Sequence, residues 1–228
     1  MTNCILPDHP FIILVPQGAE YNAVCRGIKA LNLNPPPWVL PIPAGGKAVT
    51  QYLEKRFYRF PTYPVLIMGV CGSLSPQYGV GDVVLYESCV YQGEVLMCDR
   101  YFTSDIYNHL KAKANLVKAV TSDSVVYAAS EKHRLAEIYS AEVVDMEGFA
   151  VLKFLCKRGM SAAMLRVVSD DSQHNIPNLN SAIDEDGNLQ PLPLAWEMIT
   201  QPIAAFNLIK GSLQGLKFLE KVASELNI

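Results

Sequence analysis

Short apolar runs alternate along this chain with segments whose apolar residues recur at helical spacing. The apolar runs are 11–15 (FIILV), 65–70 (VLIMGV), 142–146 (EVVDM) and 162–169 (AAMLRVVS), and the helical segments are 19–30, 45–57 and 147–158. Runs of this length are typical of buried strands, and their alternation with helices favours parallel strands joined by crossover helices. The pattern therefore predicts an α/β fold.

Residues 79–96 depart from this alternation because they are rich in β-forming residues. Within them, Gln92 and Gly93 fit the tight turn of a β-hairpin, which would add an antiparallel pair to the sheet. The chain has 228 residues, 50% of them hydrophobic, which is enough for one substantial core. We therefore predict a single domain over 1–228, with a three-layer α/β/α architecture around a mixed central sheet.

Proline and polar clusters predict where the regular elements are interrupted. Residues 35–37, Pro41 and Pro43 indicate a connection, because proline can neither donate to a β-ladder nor continue a helix. Residues 171–193 are polar and rich in turn formers, and they are unusually long for a connection without structure of its own. We expect this segment to form a lid over an adjacent site.

Charge and leader patterns exclude several classes of protein. The formal net charge is −3 and the basic residues are scattered, so no basic patch predicts nucleic-acid binding and a small-molecule partner is expected. The N-terminus lacks a basic leader region, and the apolar run 11–15 is too short to cross a membrane. These features predict a cytoplasmic protein.

Known cofactor and metal patterns do not fit the sequence. The six cysteines are far apart with no CxxC pair, and the four histidines lack ligand spacing, so we predict neither a disulfide framework nor a metal site. Residues 44–48 (AGGKA) lack the Ser or Thr that follows the lysine of a phosphate-binding loop, and residues 79–84 lack the third glycine of a dinucleotide fingerprint. No cofactor is therefore predicted.

Three acidic side chains and a glycine-rich turn follow the apolar runs. Glu20 comes shortly after the first run, residues 69–73 (GVCGS) follow the second, Glu147 follows the third, and Asp170 follows the last. Ligands of open α/β sheets bind beyond the carboxyl ends of the strands. We therefore expect these residues to converge at one rim of the sheet.

Each of these residues also has a purely structural interpretation. Glu20 and Glu147 could complement the dipole at a helix start, and Ser169 with Asp170 could cap a turn. The glycines could simply let the backbone bend after a buried strand. Cys71 could act as a nucleophile only with a base beside it, and no histidine lies near it in the sequence.

Three segments near the predicted rim are informative in combination, namely 68–85 (MGVCGSLSPQYGVGDVVL), 144–147 (VDME) and 166–170 (RVVSD). They resemble, in this order, the glycine turn with its V-G-D-V-V strand, the V-E-M-E ribose-binding turn and the R-x-x-S-D catalytic strand end of the purine nucleoside phosphorylase and nucleosidase superfamily. That superfamily includes methylthioadenosine/S-adenosylhomocysteine nucleosidase. The resemblance implies a nucleoside phosphorylase-like fold.

The resemblance also implies a role for each acid in cleaving the N-glycosidic bond of a purine nucleoside. Asp170 would protonate purine N7, and Glu20 would be the base for water. Glu147 would accept hydrogen bonds from the ribose hydroxyls, and Met146 would contact the sugar. The other substrate-contacting positions that it implies are Ser169, Val125, Val126, Val70, Cys71 and Gly72.

These residue types suit the chemistry of the bond. A purine leaves poorly as an anion, and the transition state is a ribosyl oxocarbenium ion, so the reaction needs an acid at the base and carboxylates at the sugar. Asp170 can serve only if it carries a proton near neutral pH, which burial or the neighbouring acid Asp171 would favour.

The sequence departs from the superfamily pattern at two places. Phosphorylases carry a phosphate-binding arginine two positions before the glycine of the G-x-C-G turn, where this chain has Ile67. Hydrolysis is therefore favoured over phosphorolysis, although Arg26 or Arg56 could replace that arginine. Residues 121–126 (TSDSVV) resemble the nucleosidase stretch S-G-D-x-F-I with valine in place of the base-stacking phenylalanine, and Tyr127 could compensate.

A narrower resemblance covers 125–151 and 169–222. Both segments are similar to the hopanoid-associated branch of the superfamily, whose substrate is an adenosyl group attached to a polycyclic lipid, so adenosylhopane could be the substrate. Residues 194–226 are expected to form two helices, broken near Pro202 and near Gly211 or Gly215. Their apolar residues could form an entrance for lipid, make peripheral contact with a membrane, or pack on the sheet or on a second subunit. These residues are Leu192, Leu194, Trp196, Ile199, Ile203, Phe206 and Ile209.

Several alternatives remain open from the sequence. The acceptor could be phosphate rather than water, and a protein of this fold could bind nucleoside or lipid without turnover, although Glu20, Glu147 and Asp170 argue against the silent form. Superfamily members complete their pockets across subunit contacts, so the resemblance favours a homodimer.

Overall fold

The computed structural model describes residues 11–33, 36–57, 63–110, 113–182, 184 and 190–226. The strands are β1 (Ile12–Pro16), β2 (Trp38–Ile42), β3 (Val65–Ser73), β4 (Val83–Tyr91), β5 (Glu94–Met97), β6 (Ala114–Thr121), β7 (Val143–Asp145) and β8 (Ala162–Asp170). The helices are α1 (Ala19–Ala30), α2 (Gly46–Arg56), α3 (Arg100–His109), α4 (Ala129–Tyr139), α5 (Gly148–Cys156), α6 (Pro191–Thr200) and α7 (Pro202–Ala223), and a short 3-10 helix spans Leu179–Ala182.

The eight strands form one mixed sheet, as predicted. Its order is β2-β1-β3-β7-β6-β4-β5, and β8 pairs with both β3 and β4. β8 runs parallel to β3 and antiparallel to β4, while β4 is parallel to β6 and β6 to β7. Because β7 pairs in turn with β3, the five strands β3, β8, β4, β6 and β7 close into a ring.

Helices cover the sheet on two sides, which confirms the three-layer architecture. One apolar cluster joins the strands to α2 and α5 through side chains such as Leu53 and Leu152. A second cluster joins them to α1, α3 and α7 through Val24, Phe102 and Leu219. Burial of both faces accounts for the continuous apolar runs that the sequence shows.

The predicted hairpin is confirmed. β4 and β5 are antiparallel, and Tyr91 pairs with Glu94 across a two-residue turn. Gln92 has φ 49° and Gly93 has φ 86°, so both central residues are left-handed. This conformation matches the twist of the two strands and is the usual one for a two-residue hairpin.

The interpretation of Pro41 as part of a connection is wrong. Pro41 lies inside β2 and pairs with Val15 of β1. β2 is at the edge of the sheet, where a residue without an N–H group loses no ladder hydrogen bond on its open side. Pro35, from the same cluster, lies outside the described residues.

The predicted break near Gly211 or Gly215 is also wrong, whereas the break before Pro202 is confirmed. α7 continues through both glycines. A Cβ atom on Gly211 would lie 2.2 Å from the carbonyl oxygen of Ser169, and one on Gly215 would lie 3.3 Å from the Cα atom of Ser169. The glycines therefore let α7 approach the end of β8, and they do not end the helix.

The outward faces of α6 and α7 are strongly apolar. Leu194 is half-buried. The exposed side chains are Leu192, Trp196, Ile199, Ile203, Phe206, Ile209 and Leu213, each at least 50% exposed. These residues do not pack on the sheet. Within the described part of the chain, no helix is both long and apolar enough to cross a membrane.

Candidate active site

Glu20 stands in the first turn of α1, just beyond the end of β1. Its side chain is directed at β3 rather than at the start of α1. Its Oε2 accepts a hydrogen bond of 2.7 Å from the backbone N–H of Val70 on β3. Burial, together with the acids Glu147 and Asp145, raises the pKa of Glu20 to about 7, although Arg166 acts in the opposite direction. A carboxyl with this pKa can accept a proton near neutral pH.

Glu147 immediately precedes α5 and is buried. Its Oε1 accepts a hydrogen bond of 2.8 Å from the backbone N–H of Gly45, and its Oε2 lies 3.8 Å from Nη2 of Arg166. Its side chain makes no capping hydrogen bond with α5. Burial and the neighbouring Asp145 raise the pKa of Glu147, against the effect of Arg166.

Arg166 is the cation that these acids share. It is on β8 with no exposed surface, and its Nη2 lies 3.3 Å from Oδ2 of Asp145. Its Nε and Nη1 have no hydrogen-bond partner among the described residues. Buried guanidinium N–H groups are normally satisfied, so these two donors are exceptions to that rule.

Gly69 lies where Arg166 and Glu20 meet. A Cβ atom at this position would lie 2.2 Å from Nη1 of Arg166 and 2.5 Å from Oε2 of Glu20. Any larger residue would therefore overlap both the base candidate and the cation. The glycine provides room for two functional groups, which is more than a bend in the backbone.

Asp145 holds three elements in place beneath this cluster. Its Oδ1 accepts hydrogen bonds from Thr121 Oγ1 at 2.7 Å and from the backbone N–H of Gly148 at 3.1 Å. Its Oδ2 faces Arg166. Asp145 therefore links β6, the start of α5 and β8.

Asp170 ends β8 and makes a second polar cluster. Its Oδ2 forms an ion pair with Nζ of Lys132, which is fully buried on α4. Ser169 Oγ lies 3.0 Å from Oδ1 of Asp170 and 3.2 Å from the carbonyl oxygen of Cys71, so its proton can go to either acceptor. A Cβ atom on Gly72 would lie 2.9 Å from Oδ2 of Asp170, which shows how closely the carboxylate approaches β3.

Both clusters lie at the same end of β3. Glu20 is bound to Val70, and Asp170 lies against Gly72, two residues further along the strand. Two residues of a strand span about 7 Å. Glu147 and Glu20 both lie near Arg166, so the three predicted acids lie towards the same end of β3.

The remaining residues that the resemblance implied lie in different surroundings. Cys71 is buried, and burial raises the pKa of its thiol, which does not suit a nucleophile. Met146 is half-buried and lines a cavity of about 400 Å³ together with Gly45 and Asn180. Val126 packs on an apolar cluster instead, and Val125 is held by Asn180, whose Oδ1 accepts a hydrogen bond of 2.7 Å from its backbone N–H.

The described part of the predicted lid, 171–193, is held by hydrogen bonds to residues at the start of α4. The Asn175 side chain accepts a hydrogen bond of 2.8 Å from Ala129 N, and the Ile176 N–H donates to the carbonyl oxygen of Tyr127 at 3.0 Å. Asn180 and Asp184 line the cavity beside Met146. The described part of the segment therefore lies along one wall of that cavity.

The residue at the position of the missing phosphate-binding arginine, and the two arginines that could replace it, all lie outside the acid cluster. Ile67 is fully buried in the core cluster beside α2 and α5. Arg26 pairs with Glu220 at 2.8 Å, and the guanidinium of Arg56 lies 5.7 Å from the ring centroid of Tyr52. The structure thus gives each arginine that could replace the missing one a contact outside the acid cluster.

No role was predicted from the sequence for Lys132, Arg166 or Asp145. Arg166 and Asp145 could have been identified as site residues from the sequence, because both belong to the segments that resemble the superfamily. Lys132 lies in a charged stretch, EKHR, that is typical of a solvated helix face. Only the contacts of Lys132 with Asp170 and Asp171 at the end of β8 reveal that one member of this stretch is buried.

Comparison with known proteins places this geometry in context. The profile of the Phosphorylase superfamily matches residues 64–188, more than half of the chain. No curated protein matches the chain. The futalosine hydrolase of Helicobacter pylori is similar in structure, with 17% identity, a TM-score of 0.65, and coverage of 96% of this chain and 98% of that chain.

Two nucleosidase structures are similar as well. A variant of the Helicobacter pylori 5′-methylthioadenosine/S-adenosylhomocysteine nucleosidase, with 5′-methylthioadenosine in its active site, has 16% identity, a TM-score of 0.63, and coverage of 96% of this chain and 100% of that chain. The Campylobacter jejuni nucleosidase has 15% identity, a TM-score of 0.63, and coverage of 95% and 99%. At these identities the likeness shows the shared fold.

Proposed function

Given that the chain belongs to the Phosphorylase superfamily, we propose that it cleaves the N-glycosidic bond of a purine nucleoside and releases the base. The observation that carries this proposal is the meeting of Glu20, Glu147 and Asp170 at one end of β3. An oxocarbenium ion between these carboxylates would be stabilised by their charge.

The sugar end of the site is formed by Glu147 and Glu20. The free lone pairs of Glu147 accept hydrogen bonds from the ribose hydroxyls, and the half-buried Met146 contacts the sugar. Glu20 takes the proton of the attacking nucleophile, since its pKa of about 7 leaves a useful fraction of it ionised at neutral pH.

We propose water as the nucleophile. Three acids, Glu20, Glu147 and Asp145, lie around Arg166, and a phosphate dianion would be repelled by their negative charge. A neutral water can accept a hydrogen bond from the unsatisfied N–H groups of Arg166 and donate one to Glu20. The buried Ile67 supports the same choice.

The base end of the site is formed by Asp170, with Ser169 beside it. Asp170 donates a proton to N7 of the purine as the glycosidic bond breaks, which avoids an anionic leaving group. We propose an adenosine-type nucleoside, in keeping with the 5′-methylthioadenosine bound by a structural neighbour.

We further propose an apolar 5′ substituent, with adenosylhopane as the specific candidate. The support is the exposed apolar face of α6 and α7, because α7 also packs directly on Ser169. The exposed Lys210 and Lys217 on α7 would favour an anionic lipid surface. The variant I203S/F206S should lower kcat/KM for an adenosyl lipid in anionic vesicles and leave the hydrolysis of adenosine unchanged. Equal loss for both substrates would contradict the lipid assignment.

We also propose a homodimer, as the superfamily resemblance implies. Light scattering coupled to gel filtration should give twice the chain mass of 25.2 kDa. A mass of one chain at micromolar concentration would contradict it.

The central test is release of free base from purified protein. Adenosine, inosine, 5′-methylthioadenosine and an adenosyl lipid would be incubated with and without phosphate, with D170N as the inactive control and the exposed-site variant E137Q as the matched active control. We expect adenine release without phosphate. A strict phosphate requirement would make the protein a phosphorylase, and binding of nucleoside without release of base from any of them would make it a silent binder.

A further inference from the structure

Lys132 is the one fully buried lysine among the described residues. Lysine is almost never fully buried unless its charge is paired. Its Nζ forms an ion pair with Oδ2 of Asp170 and lies 2.5 Å from the carbonyl oxygen of Asp171. Both contacts are at the end of β8, so the lysine is directed at the acid end of the site.

The contacts of Asp170 show which groups can supply a proton to it. The carboxylate of Asp170 meets an ammonium on Oδ2 and a hydroxyl, Ser169 Oγ at 3.0 Å, on Oδ1. An ammonium is a far stronger acid than an alcohol hydroxyl, so Lys132 rather than Ser169 is the contact of Asp170 that can supply a proton through it.

Building on the proposed function, we propose that Lys132 is a positioning residue that acts through Asp170 and supplies the proton that Asp170 passes to the departing base. The C1′–N9 bond breaks with its electron pair on the purine, N7 gains one proton from the pair, and Lys132 is left neutral. Water adds to C1′ and gives a proton to Glu20. Transfer of that proton through solvent to Lys132 restores the site, so nucleoside and water become ribose product and base.

The Asp170 carboxylate is the ionic partner of Lys132, because the neighbouring acids Asp171 and Glu131 are paired with other residues. The side chain of Asp171 is turned towards His174, whose Nδ1 lies 2.9 Å from Oδ2. On α4 itself, Glu131 forms an ion pair of 2.6 Å with Arg134. On β3, the thiol of Cys71 is near Asp170, and burial raises its pKa, so it stays neutral.

A competing explanation is that Lys132 serves as a fixed charge. A permanent cation would stabilise negative charge on the base and would not need to release a proton. Arginine separates the two ideas, because it keeps the charge and does not deprotonate in proteins. Methionine removes both charge and proton while keeping an unbranched side chain.

The experiment compares K132R, K132M and wild-type protein in single-turnover release of adenine. We expect both variants to lose on the order of 10²-fold to 10³-fold in rate, as for loss of a general acid. The K132M/wild-type rate ratio should rise as the pH falls from 8 to 5, because Asp170 must then carry its own proton. This ratio cancels the effect of Glu20, and a purely structural role of Lys132 would leave it constant. A wild-type rate in K132R, or a constant ratio for K132M, would overturn the proposal.

Chemical rescue provides a second readout should K132R fit poorly in the buried site. Methylammonium should restore part of the rate of K132A, whereas tetramethylammonium, which has a charge and no proton, should not. Equal rescue by the two ions, or none by either in folded protein, would count against proton supply. Absence of base release by the wild-type protein would instead refute the proposed function, so the two failures are distinguishable.

Discussion

Oε2 of Glu20 and Nη1 of Arg166 both lie within 2.5 Å of the point where a Cβ atom of residue 69 would stand. The absent side chain of Gly69 is what allows the base candidate and its cation to share one small volume. Arg166 is fully buried, so it has little space into which to retreat. The same volume is where we place the attacking water.

The variant G69A should therefore impair catalysis more than folding. The added methyl group would separate Glu20 from Arg166, and a displacement of about 1 Å at a reacting group can cost about 10²-fold in rate. Steady-state kinetics and thermal melting would be measured together. G79A is the matched control, since nothing lies within 4 Å of a Cβ atom at Gly79. A G69A protein as active as G79A would contradict the placement of the water.

E20Q should remove the acidic limb of the pH–rate profile. A base must be deprotonated to act, so wild-type kcat/KM should fall about tenfold per pH unit below the Glu20 pKa of about 7. E20Q should be slower by about 10²-fold to 10⁴-fold, with no limb at this position. E137Q, which alters an exposed glutamate on α4, should keep the wild-type profile. An unchanged limb in E20Q would assign it to another group.

The same pKa predicts how stability depends on pH. The folded pKa of about 7 exceeds the ordinary value of 4.5, so folding favours the protonated form of Glu20. The wild-type free energy of unfolding should therefore fall relative to that of E20Q as the pH rises from 4.5 to 7, and the difference should level off above 7. Urea unfolding of both proteins across this range checks the sign. A difference that is independent of pH would mean that Glu20 is not buried as described.

G211A should weaken the contact between α7 and β8. Its methyl group would overlap the carbonyl oxygen of Ser169, at 2.2 Å, and the helix would have to move. Overpacking of this kind costs about 1–3 kcal/mol, measured as a lower midpoint of urea unfolding. Base release should fall too, because Ser169 adjoins Asp170. G79A again serves as the control, and a G211A protein with wild-type stability would show that α7 packs less closely.

The layers of the fold were predictable because local patterns determine them. Alternating apolar runs identify buried strands, and β1, β3 and β8 are parallel, so the positions of Glu20 and Asp170 towards one edge follow from order along the chain. Glu147 follows β7, which runs antiparallel to β3, so its place near Arg166 depends on the sheet topology. The burial of Lys132 was not predictable, since it depends on contacts with Asp170 and Asp171, which are far away in the chain. The same holds for Gly211, which reads as a helix breaker until the neighbouring strand is known, and for Pro41, whose tolerance depends on an edge position.

The ring formed by β3, β8, β4, β6 and β7 bears on how the molecule opens. A strand inside a closed ring can leave only by breaking two ladders at once, whereas the outer strands β2 and β5 each have a single neighbour. Amide hydrogens of β8 should therefore exchange with deuterium only through global unfolding, and those of β2 should exchange through local fraying. The end of β8 that carries Asp170 would then stay folded while the edges of the sheet open locally, which gives the proposed site a longer kinetic lifetime than its surroundings.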